Sequence, residues 1–244
     1  MIYAWGITDR GVVRSQNQDS YYLKSAGDDL VIALVCDGMG GARAGNVAST
    51  LAVETTVTYL EGLSREALLQ APGEHLAQAA LLANEVVYYR AEQDSECRGM
   101  GTTMVAVILS GQKAHILNIG DSRAYLLGEE GVRKVTRDHS VVEDLVHRGE
   151  LTPEEARIHP QKNLITRALG AEPEARTDLY ELELKAGEFL LLCSDGLSNT
   201  LTDQELLYEV LYGEAPESCC QRMLEIALSR GAPDNVTAVL IQLV

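Results

Sequence analysis

The sequence predicts an α+β fold, an α-β-β-α sandwich in which two stacked, mostly antiparallel sheets lie between pairs of helices. Three observations favour this architecture. Strand-like aliphatic segments are short and frequent, several follow one another through tight turns as antiparallel hairpins do, and amphipathic helical segments interrupt them in pairs. Helices on the outer faces of both sheets would bury the aliphatic strands on either side.

The strands are predicted from aliphatic composition and from the turns between them. Ser110-Gly111-Gln112 separates two strand-like runs, and the segment from Gly128 to Gly131 predicts a further hairpin. A short strand-like segment also follows Asp19. The predicted strands cover residues 2–8, 30–36, 103–109, 113–119, 124–127, 179–184, 188–194 and 236–244.

Apolar stripes with helical spacing predict helices over residues 45–60 and 74–92. A last helix over residues 216–230 would end before Gly231, a residue type that is common just after a helix.

Capping boxes mark the starts of two further helices. Thr152 is followed by Pro153 and Glu155, and Thr202 is followed by Glu205. In this pattern the threonine and glutamate side chains satisfy backbone N–H groups at the helix start.

The bulk composition is that of a single globular domain. The length of 244 residues and the lack of a linker or repeat lead us to expect one domain over residues 1–244. No segment is as apolar as a signal peptide or a membrane helix, so a cytoplasmic protein with no membrane partner is expected. Five cysteines without paired or zinc-like spacing favour a reducing compartment.

The acidic balance excludes one class of partner. With a formal net charge of −16, the chain would repel nucleic acid. Such acidity either attracts cations or serves solubility.

Several aspartates occupy the ends of predicted core strands. Any one of them is most simply an ordinary turn residue. Clustered carboxylates, however, repel one another unless a cation neutralises them. A ligand set of oxygens favours Mg²⁺, Mn²⁺ or Ca²⁺, and a glycine after the aspartate lets a backbone carbonyl approach an ion. The residues concerned are Asp19, Asp37 with Gly38, Asp121, Asp195 and Asp234.

Short motifs in a fixed order identify a resemblance. Together they are similar to the metal-dependent protein serine/threonine phosphatases of the PPM type, also called the 2C class, and most similar to the short bacterial members that consist of the catalytic domain alone. The resemblance spans residues 8–239. The motifs are RSQNQD, VCDGMGG, GNVAS, MGTT, NIGDSRAY, TRDHS, ITRALG, CSDGLSN and DNVT.

The resemblance implies a set of metal ligands. Asp37 would bridge two ions, Mn²⁺ or Mg²⁺, and the carbonyl of Gly38 would bind one of them. Asp195 and Asp234 would complete the shell of the other ion. Asp121 would bind a third, weaker ion together with Asp195.

The resemblance also assigns residues around the ions. Arg14 would hold the substrate phosphate with its forked donors. Asp19 would orient water, and Gln18 and Asn235 would lie behind the ligands. Many relatives have Glu at the position of Gln18, so the neutral amide is expected to weaken the surroundings of one ion.

The implied reaction is hydrolysis of phosphoserine and phosphothreonine in proteins by a hydroxide that bridges the ions. The implied partners are phosphorylated proteins, including a bacterial serine/threonine kinase that the enzyme opposes. A monomer is expected because no exposed apolar stripe is evident.

The donor of a proton to the leaving group is left open. Many eukaryotic relatives have a histidine where this chain has Met39, so metal-bound water is the first candidate. His139 and His159 are weaker ones, and a structural role is favoured for His139.

Residues 145–163 occupy the place of the flap that borders the site in bacterial relatives. They form either a mobile lid that selects substrates or a plain connection between helices.

Other functions explain the sequence less well. A cysteine phosphatase built on Cys36 would need Arg six positions later, where Ala42 stands before Arg43. An aspartyl-phosphate enzyme would need Asp-x-Asp-x-Thr, and neither Asp-Gly pair supplies its second Asp. A catalytically weak, phosphatase-like binding module is the remaining alternative, although such modules usually lack a ligand aspartate.

Overall fold

The structure, a computed structural model, describes residues 1–27, 29–41 and 44–244. Ala42 and Arg43, which bear on the cysteine alternative, lie outside the described residues.

The first sheet contains five antiparallel strands and brings the two ends of the chain together. Its edge strand pairs along its whole length with the last strand of the protein. In spatial order the strands are β1 (Ile2–Asp9), β11 (Val236–Leu243), β10 (Phe189–Cys193), β7 (Arg123–Gly128) and β8 (Gly131–Lys134).

The second sheet is also antiparallel and carries one additional short strand. Its main strands, in spatial order, are β2 (Asp19–Ser25), β3 (Leu30–Met39), β5 (Met104–Ser110), β6 (Lys113–Ile119) and β9 (Asp178–Glu183). The two-residue strand β4 (Gly101–Thr102) pairs with the end of β3.

Helices cover the outer face of each sheet. On the second sheet lie α1 (Ala44–Glu61), α2 (Arg65–Gln70) and α3 (Pro72–Gln93), and on the first lie α6 (Asp195–Ser198), α7 (Asp203–Tyr212) and α8 (Pro216–Ser229). The segment between β8 and β9 contains α4 (Val141–His147) and α5 (Pro153–Ile158).

Three buried apolar layers hold this arrangement together. Along β3, Leu34 packs towards α1 and α3, whereas Val35 packs against the other sheet. This alternation is the two-residue period of a strand that is buried on both faces. A third layer joins the first sheet to α7 and α8. The predicted α-β-β-α sandwich is confirmed.

Most predicted elements are present, with differences at their ends. Both capping boxes form, and Gly231 has φ +93 after α8. α3 begins at Pro72, earlier than predicted, because proline suits the first turn of a helix. The short helices α2 and α4 were not predicted, since they are too brief to show a helical period.

No helix among the residues that the structure describes is long and apolar enough to cross a membrane.

Candidate active site

Asp37 lies within β3, so the prediction that it follows the strand is wrong. The strand continues because its last residues, Gly38 and Met39, pair with β4. Hydroxyl groups hold the backbone there: Thr103 Oγ1 accepts from the Asp37 N–H at 2.9 Å, and Thr102 Oγ1 donates to the Asp37 carbonyl at 2.9 Å. Burial and the neighbouring Asp19 carboxyl raise the pKa of Asp37 well above its ordinary value.

Asp19 begins β2 and stands directly opposite Asp37 in the ladder of the second sheet. Its Oδ2 accepts hydrogen bonds from Ser194 Oγ and Thr237 Oγ1, each at 2.7 Å, and both donors belong to the region of the first sheet. Asp19 therefore joins the two sheets at the site. Burial, aided by Asp195, raises the pKa of Asp19 to about 7, against the hydrogen bonds that lower it.

Asp195 is the first residue of α6 and follows β10 from the first sheet. Its Oδ2 accepts from the Asn199 side chain at 3.0 Å. Burial and the negative charge of Asp234 raise the pKa of Asp195, and the charge of Asp195 adds to the burial and the Asp19 charge that raise the pKa of Asp37. The carboxyl groups of Asp37 and Asp195 are thus brought together from different sheets.

Asp121 follows β6 and Gly120. His139 fixes this turn, because its backbone N–H donates to the Gly120 carbonyl at 2.9 Å and its Nδ1 accepts from the Gly120 N–H at 3.1 Å. Burial and the nearby Asp195 raise the pKa of Asp121 to about 8. Asp121 therefore belongs to the same electrostatic cluster.

Asp234 and Arg14 form an ion pair at the rim of this cluster. Arg14 Nη2 lies 2.7 Å from Asp234 Oδ2, and the arginine side chain is 51% exposed. The hydrogen bond to Asp234 raises the pKa of Arg14, with further attraction from Asp37 and Asp195. The structure thus places a solvent-accessible guanidinium beside the acidic cluster.

Gln18 and Asn235 fix the loop that carries Arg14. The Gln18 N–H donates to Asn235 Oδ1 at 2.8 Å, and the Gln18 carbonyl accepts from the Gly38 N–H at 3.0 Å. Asn235 Nδ2 donates to the carbonyls of Arg10 and Gln16. The Asn235 side chain and the Gln18 backbone thus connect the Arg14 loop to the strands that bring Asp37 and Asp234, while the Gln18 side chain donates to the Gly41 carbonyl at 3.2 Å.

The two candidate histidines have different surroundings. His139 is buried, its pKa is lowered by burial, and its Nε2 lies 3.2 Å from Asp178 Oδ2. Both of its ring nitrogens therefore have partners in the protein. His159 directly follows α5 as its C-cap, where its Nδ1 accepts from the Gln161 N–H at 3.1 Å.

The cysteine at the end of the first aliphatic run is not a plausible nucleophile. Cys36 is fully buried, and burial raises the pKa of its thiol far above the ordinary range. A reactive thiol needs access and a lowered pKa.

The cluster has features that suit hard divalent cations. Asp19 Oδ1 and Asp195 Oδ1 are buried without a hydrogen-bond partner in the part of the chain that the structure describes. Such orphaned carboxylate oxygens are costly unless a cation or proton satisfies them. Across residues 1–27, 29–41 and 44–244, no three His, Cys, Asp or Glu side chains are placed so that together they could hold a metal ion. The donors fit Mg²⁺ or Mn²⁺, and Asp234, which is turned to Arg14, would have to reorient.

Sequence reasoning missed the hydroxyl groups that support the aspartates. Thr103 contacts Ser122 at 2.6 Å as well as the Asp37 backbone, and Ser194 and Thr237 bind Asp19. Each of the four lies inside or beside one of the motifs, which was the available signal.

Two clefts lie near the acidic cluster, and of these two only the first is lined by its carboxylates. The first, called the flap cleft here, has a volume of about 400 Å³ and lies between Asp121 and Asp195 on one side and α4 and α5 on the other. Arg157 of α5 lies 3.7 Å from Asp203 of α7 across this cleft. The second, called the Met39 pocket, has a volume of about 360 Å³. It is lined by Met39, Ile119 and the segment 165–176.

Comparisons with known proteins agree on one family. The sequence matches the family described as Protein phosphatase 2C over residues 11–239. It is 40% identical to the serine/threonine protein phosphatase PstP of Mycobacterium tuberculosis over 97% of this chain, and it spans 44% of that protein's length.

Two solved structures are similar over nearly the whole chain. The serine/threonine phosphatase Stp1 of Staphylococcus aureus has a TM-score of 0.94 and 33% identity, and the match covers 100% of this chain and 96% of that one. The catalytic domain of PstP in complex with two manganese ions has a TM-score of 0.83 and 35% identity, over 99% of this chain and 97% of that one.

Proposed function

Because the chain belongs to the protein phosphatase 2C family, we propose that it is a metal-dependent phosphatase that hydrolyses phosphoserine and phosphothreonine in proteins. The observation that supports this proposal most is the convergence of buried and half-buried carboxylates from both sheets beside an exposed arginine. Asp19 and Asp37 come from the second sheet, Asp195 follows the first, and Arg14 lies at the rim.

The residues that would hold the ions are those implied by the resemblance. Asp37 would serve both ions, the Gly38 carbonyl one of them and Asp195 with Asp234 the other, and Asp121 would serve a weaker third site together with Asp195. When bound, Mn²⁺ or Mg²⁺ stabilises negative charge on a phosphoryl group and lowers the pKa of water. Before that, burial and then the mutual repulsion of the carboxylates oppose their full ionisation, as their raised pKa values indicate.

Arg14 would bind the phosphate. Only one guanidinium contact is made to Asp234, at 2.7 Å, so further N–H donors can face a phosphate oxygen. The Asn235 and Gln18 contacts keep the Arg14 loop against the cluster.

Asp19 would act on the site through hydrogen bonds. Two hydroxyl donors fix its Oδ2, which leaves Oδ1 on the buried side of the cluster to orient a water molecule. We assign no proton transfer to His139, because Gly120 and Asp178 occupy its ring nitrogens.

The proposal is tested by hydrolysis of p-nitrophenyl phosphate with Mn²⁺. We expect turnover that EDTA abolishes and that Asp195→Asn lowers at least a hundredfold, since the buried carboxylate is replaced by a weaker, neutral ligand. Asp144→Asn is the matched control, because Asp144 is an exposed partner of Arg137 outside the cluster. A folded protein that binds Mn²⁺ and hydrolyses no phosphoester would instead favour the binding module.

The finer assignments belong to the same proposal. The ions are Mn²⁺ or Mg²⁺, the substrates include a serine/threonine kinase or its targets, residues 1–244 form one domain, and the protein acts as a monomer in the cytoplasm. We further propose that the flap, residues 145–163, selects substrates. The flap borders the cleft that leads to Asp121 and Asp195. If the flap of another family member were exchanged into this chain and the preference among phosphopeptides did not change, that role would be refuted.

A further inference from the structure

Three polar side chains close a ring of hydrogen bonds on Asp19. The Asp19 N–H donates to Asn17 Oδ1 at 3.1 Å, and Asn17 Nδ2 donates to Thr8 Oγ1 at 2.8 Å. Thr8 Oγ1 lies 2.7 Å from Thr237 Oγ1, and Thr237 Oγ1 donates to Asp19 Oδ2 at 2.7 Å. This closed circuit, the Asp19 ring, therefore holds Asp19 both at its backbone and at its carboxyl group.

The Asp19 ring joins separate parts of the candidate site. Thr8 of β1 and Thr237 of β11 stand opposite each other in the first sheet, whereas Asp19 begins β2 of the second sheet. Asn17 belongs to the loop that carries Arg14, three residues further along the chain. The ring thus links both sheets to the loop that presents the guanidinium.

The donors of the ring can run in only one direction when Asp19 is ionised. A carboxylate only accepts hydrogen bonds, and a threonine hydroxyl has a single proton. Because the Thr237 proton goes to Asp19, the contact between the two threonines must use the Thr8 proton. Thr8 in turn accepts from the Asn17 amide. Each hydroxyl is therefore polarised by the donor before it, which strengthens the bonds of such a chain.

The ring decides which oxygen of Asp19 faces the site. Oδ2 accepts from Thr237 and also from Ser194 Oγ, which itself accepts from the Thr237 N–H at 3.0 Å. Oδ1 is buried and has no hydrogen-bond partner among residues 1–27, 29–41 and 44–244. Because a rotation of the carboxyl group would break both hydroxyl contacts, Oδ1 is the oxygen left to bind a water molecule.

The fold alone does not require a hydroxyl group at Thr8. Its side chain is exposed on the edge strand β1, where valine has the same shape and suits a strand equally well. Thr237, by contrast, is fully buried. Thr8 is therefore the member of the ring whose hydroxyl can be removed with little effect on folding.

We infer that Thr8 and Asn17 are positioning residues for the hydrolysis: together with Thr237 they fix the carboxyl group of Asp19 so that its Oδ1 orients the attacking water. This inference rests on the proposed phosphatase function. It assigns an effect on kcat to two residues outside the set of metal ligands and away from the phosphate-binding side chain of Arg14.

The test replaces Thr8 by Val, which removes the hydroxyl, and by Ser, which keeps it. With p-nitrophenyl phosphate and saturating Mn²⁺, Thr8→Val should lower kcat about three- to tenfold, the range that one net hydrogen bond contributes, and leave KM unchanged. Thr8→Ser should restore most of kcat. Thr58→Val removes an exposed hydroxyl from α1 and is the matched control, which should retain kcat.

A second measurement needs neither metal nor substrate. In the metal-free protein, hydrogen exchange of the Asp19 amide, followed by NMR, reports on its contact with Asn17. Thr8→Val should accelerate this exchange about threefold or more, because Asn17 loses the acceptor that fixes its side chain. Thr8→Ser and Thr58→Val should leave the exchange rate unchanged.

A double-mutant cycle identifies the residue through which Thr8 acts. In the Asp19→Ala background, Thr8→Val should cause no further loss of kcat, since no carboxyl group is left to orient. Losses that multiply would show that Thr8 acts elsewhere. If Asp19→Ala did not fold, the kinetics and amide exchange of the two Thr8 variants would decide.

The outcomes separate the two proposals. Absence of p-nitrophenyl phosphate hydrolysis in the unaltered protein would refute the phosphatase function. Turnover combined with an unchanged kcat in Thr8→Val, with a change in KM alone, or with a Thr8→Ser variant as slow as Thr8→Val would overturn the positioning role alone.

Discussion

Asp37 and Asp195 each precede a glycine and each bring a carboxylate into the candidate site, but they do so from opposite sheets and different secondary structures. Asp37 lies inside β3, where both it and the following residues are paired in the sheet. Asp195 lies beyond the end of β10 and begins the short helix α6. The same dipeptide therefore serves a strand in one case and a helix start in the other.

What the two pairs share is a close approach of another backbone. A Cβ on Gly38 would lie 2.0 Å from the carbonyl oxygen of Gly45 in α1, and a Cβ on Gly196 would lie 1.9 Å from that of Asn235. Neither glycine has a positive φ, so conformational freedom is not the reason for either. Each glycine lets a second segment pack directly behind a site aspartate.

The two aspartates differ in how they are supported. The backbone of Asp37 is held by the buried hydroxyls of Thr102 and Thr103. The side chain of Asp195 is held by Asn199, which is exposed. Because buried hydrogen bonds are costlier to lose than exposed ones, the two supports should not be equally sensitive to mutation.

The largest effect on stability is expected from substitution of the glycines that follow the two aspartates. Gly38→Ala and Gly196→Ala should each lower the free energy of unfolding by about 3 kcal/mol, because a methyl group would collide with a backbone that cannot yield cheaply. Urea denaturation measures this change. Gly41→Ala is the control, since a Cβ there meets no described atom within 4 Å, and it should stay within about 0.5 kcal/mol. If Gly38→Ala proved as stable as the unaltered protein, the contact between α1 and β3 would not be the reason for this glycine.

An intermediate effect on stability is expected from substitution of the residues that hold Asp37 and Asp195 in place. Thr103→Val leaves the Asp37 N–H and the Ser122 hydroxyl without their partner and should cost about 1–3 kcal/mol. Thr103→Ser retains the hydroxyl and should recover most of this loss. Asn199→Ala removes only an exposed contact and should cost less than about 1 kcal/mol. Denaturation and the Mn²⁺ concentration for half-maximal activity should both rank the variants in this order; equal effects of Thr103→Val and Asn199→Ala would contradict the comparison.

A smaller effect is expected from pH in the presence of a chelator. The pKa of Asp121 is raised from 3.8 to about 8, so the protonated carboxyl favours the folded state. This stabilisation is complete below pH 3.8 and is lost as the pH rises through about 8. Asp121→Asn should therefore gain stability over the unaltered protein between pH 5 and pH 8, by roughly 1 kcal/mol or about 2–4 °C in Tm.

Comparing Asp121→Asn with the unaltered protein separates the contribution of Asp121 from groups whose contribution to stability changes with pH in the opposite direction. Glu205 is one of them, because Arg230 lowers its pKa to about 2 and its contribution is lost on acidification. Saturating Mn²⁺ should reverse the advantage of Asp121→Asn at pH 8, since the ion neutralises the cluster. A Tm difference that does not vary with pH would show that repulsion around Asp121 is not significant.

Much of the fold could be predicted, because the pattern of apolar residues along each strand indicates which of its faces are buried. The even and odd residues of β3 fill two different cores, and the capping boxes at Thr152 and Thr202 mark helix starts locally. The continuation of β3 through Asp37 could not be predicted, since it depends on pairing with the two-residue strand β4. Such a strand is too short to have a period of its own.

The aspartates of the candidate site could be predicted from the sequence, but the contacts that hold them in place could not. Asp37, Asp121, Asp195 and Asp234 could be selected from their motifs, and the ion pair of Asp234 with Arg14 could not. Likewise, nothing local to Asp19 indicates that hydroxyls from the other sheet will bind it.

The amino-acid sequence by itself determined which segments are strands or helices and which oxygen-bearing side chains stand at their ends. Only the tertiary structure decided that these side chains meet, which of them pair with Arg14 or with hydroxyls, and where clefts open near them. The physical reason is range: periodicity and capping are set by residues a few positions apart, whereas the cluster, its raised pKa values and the clefts near it arise from contacts between segments distant in the chain.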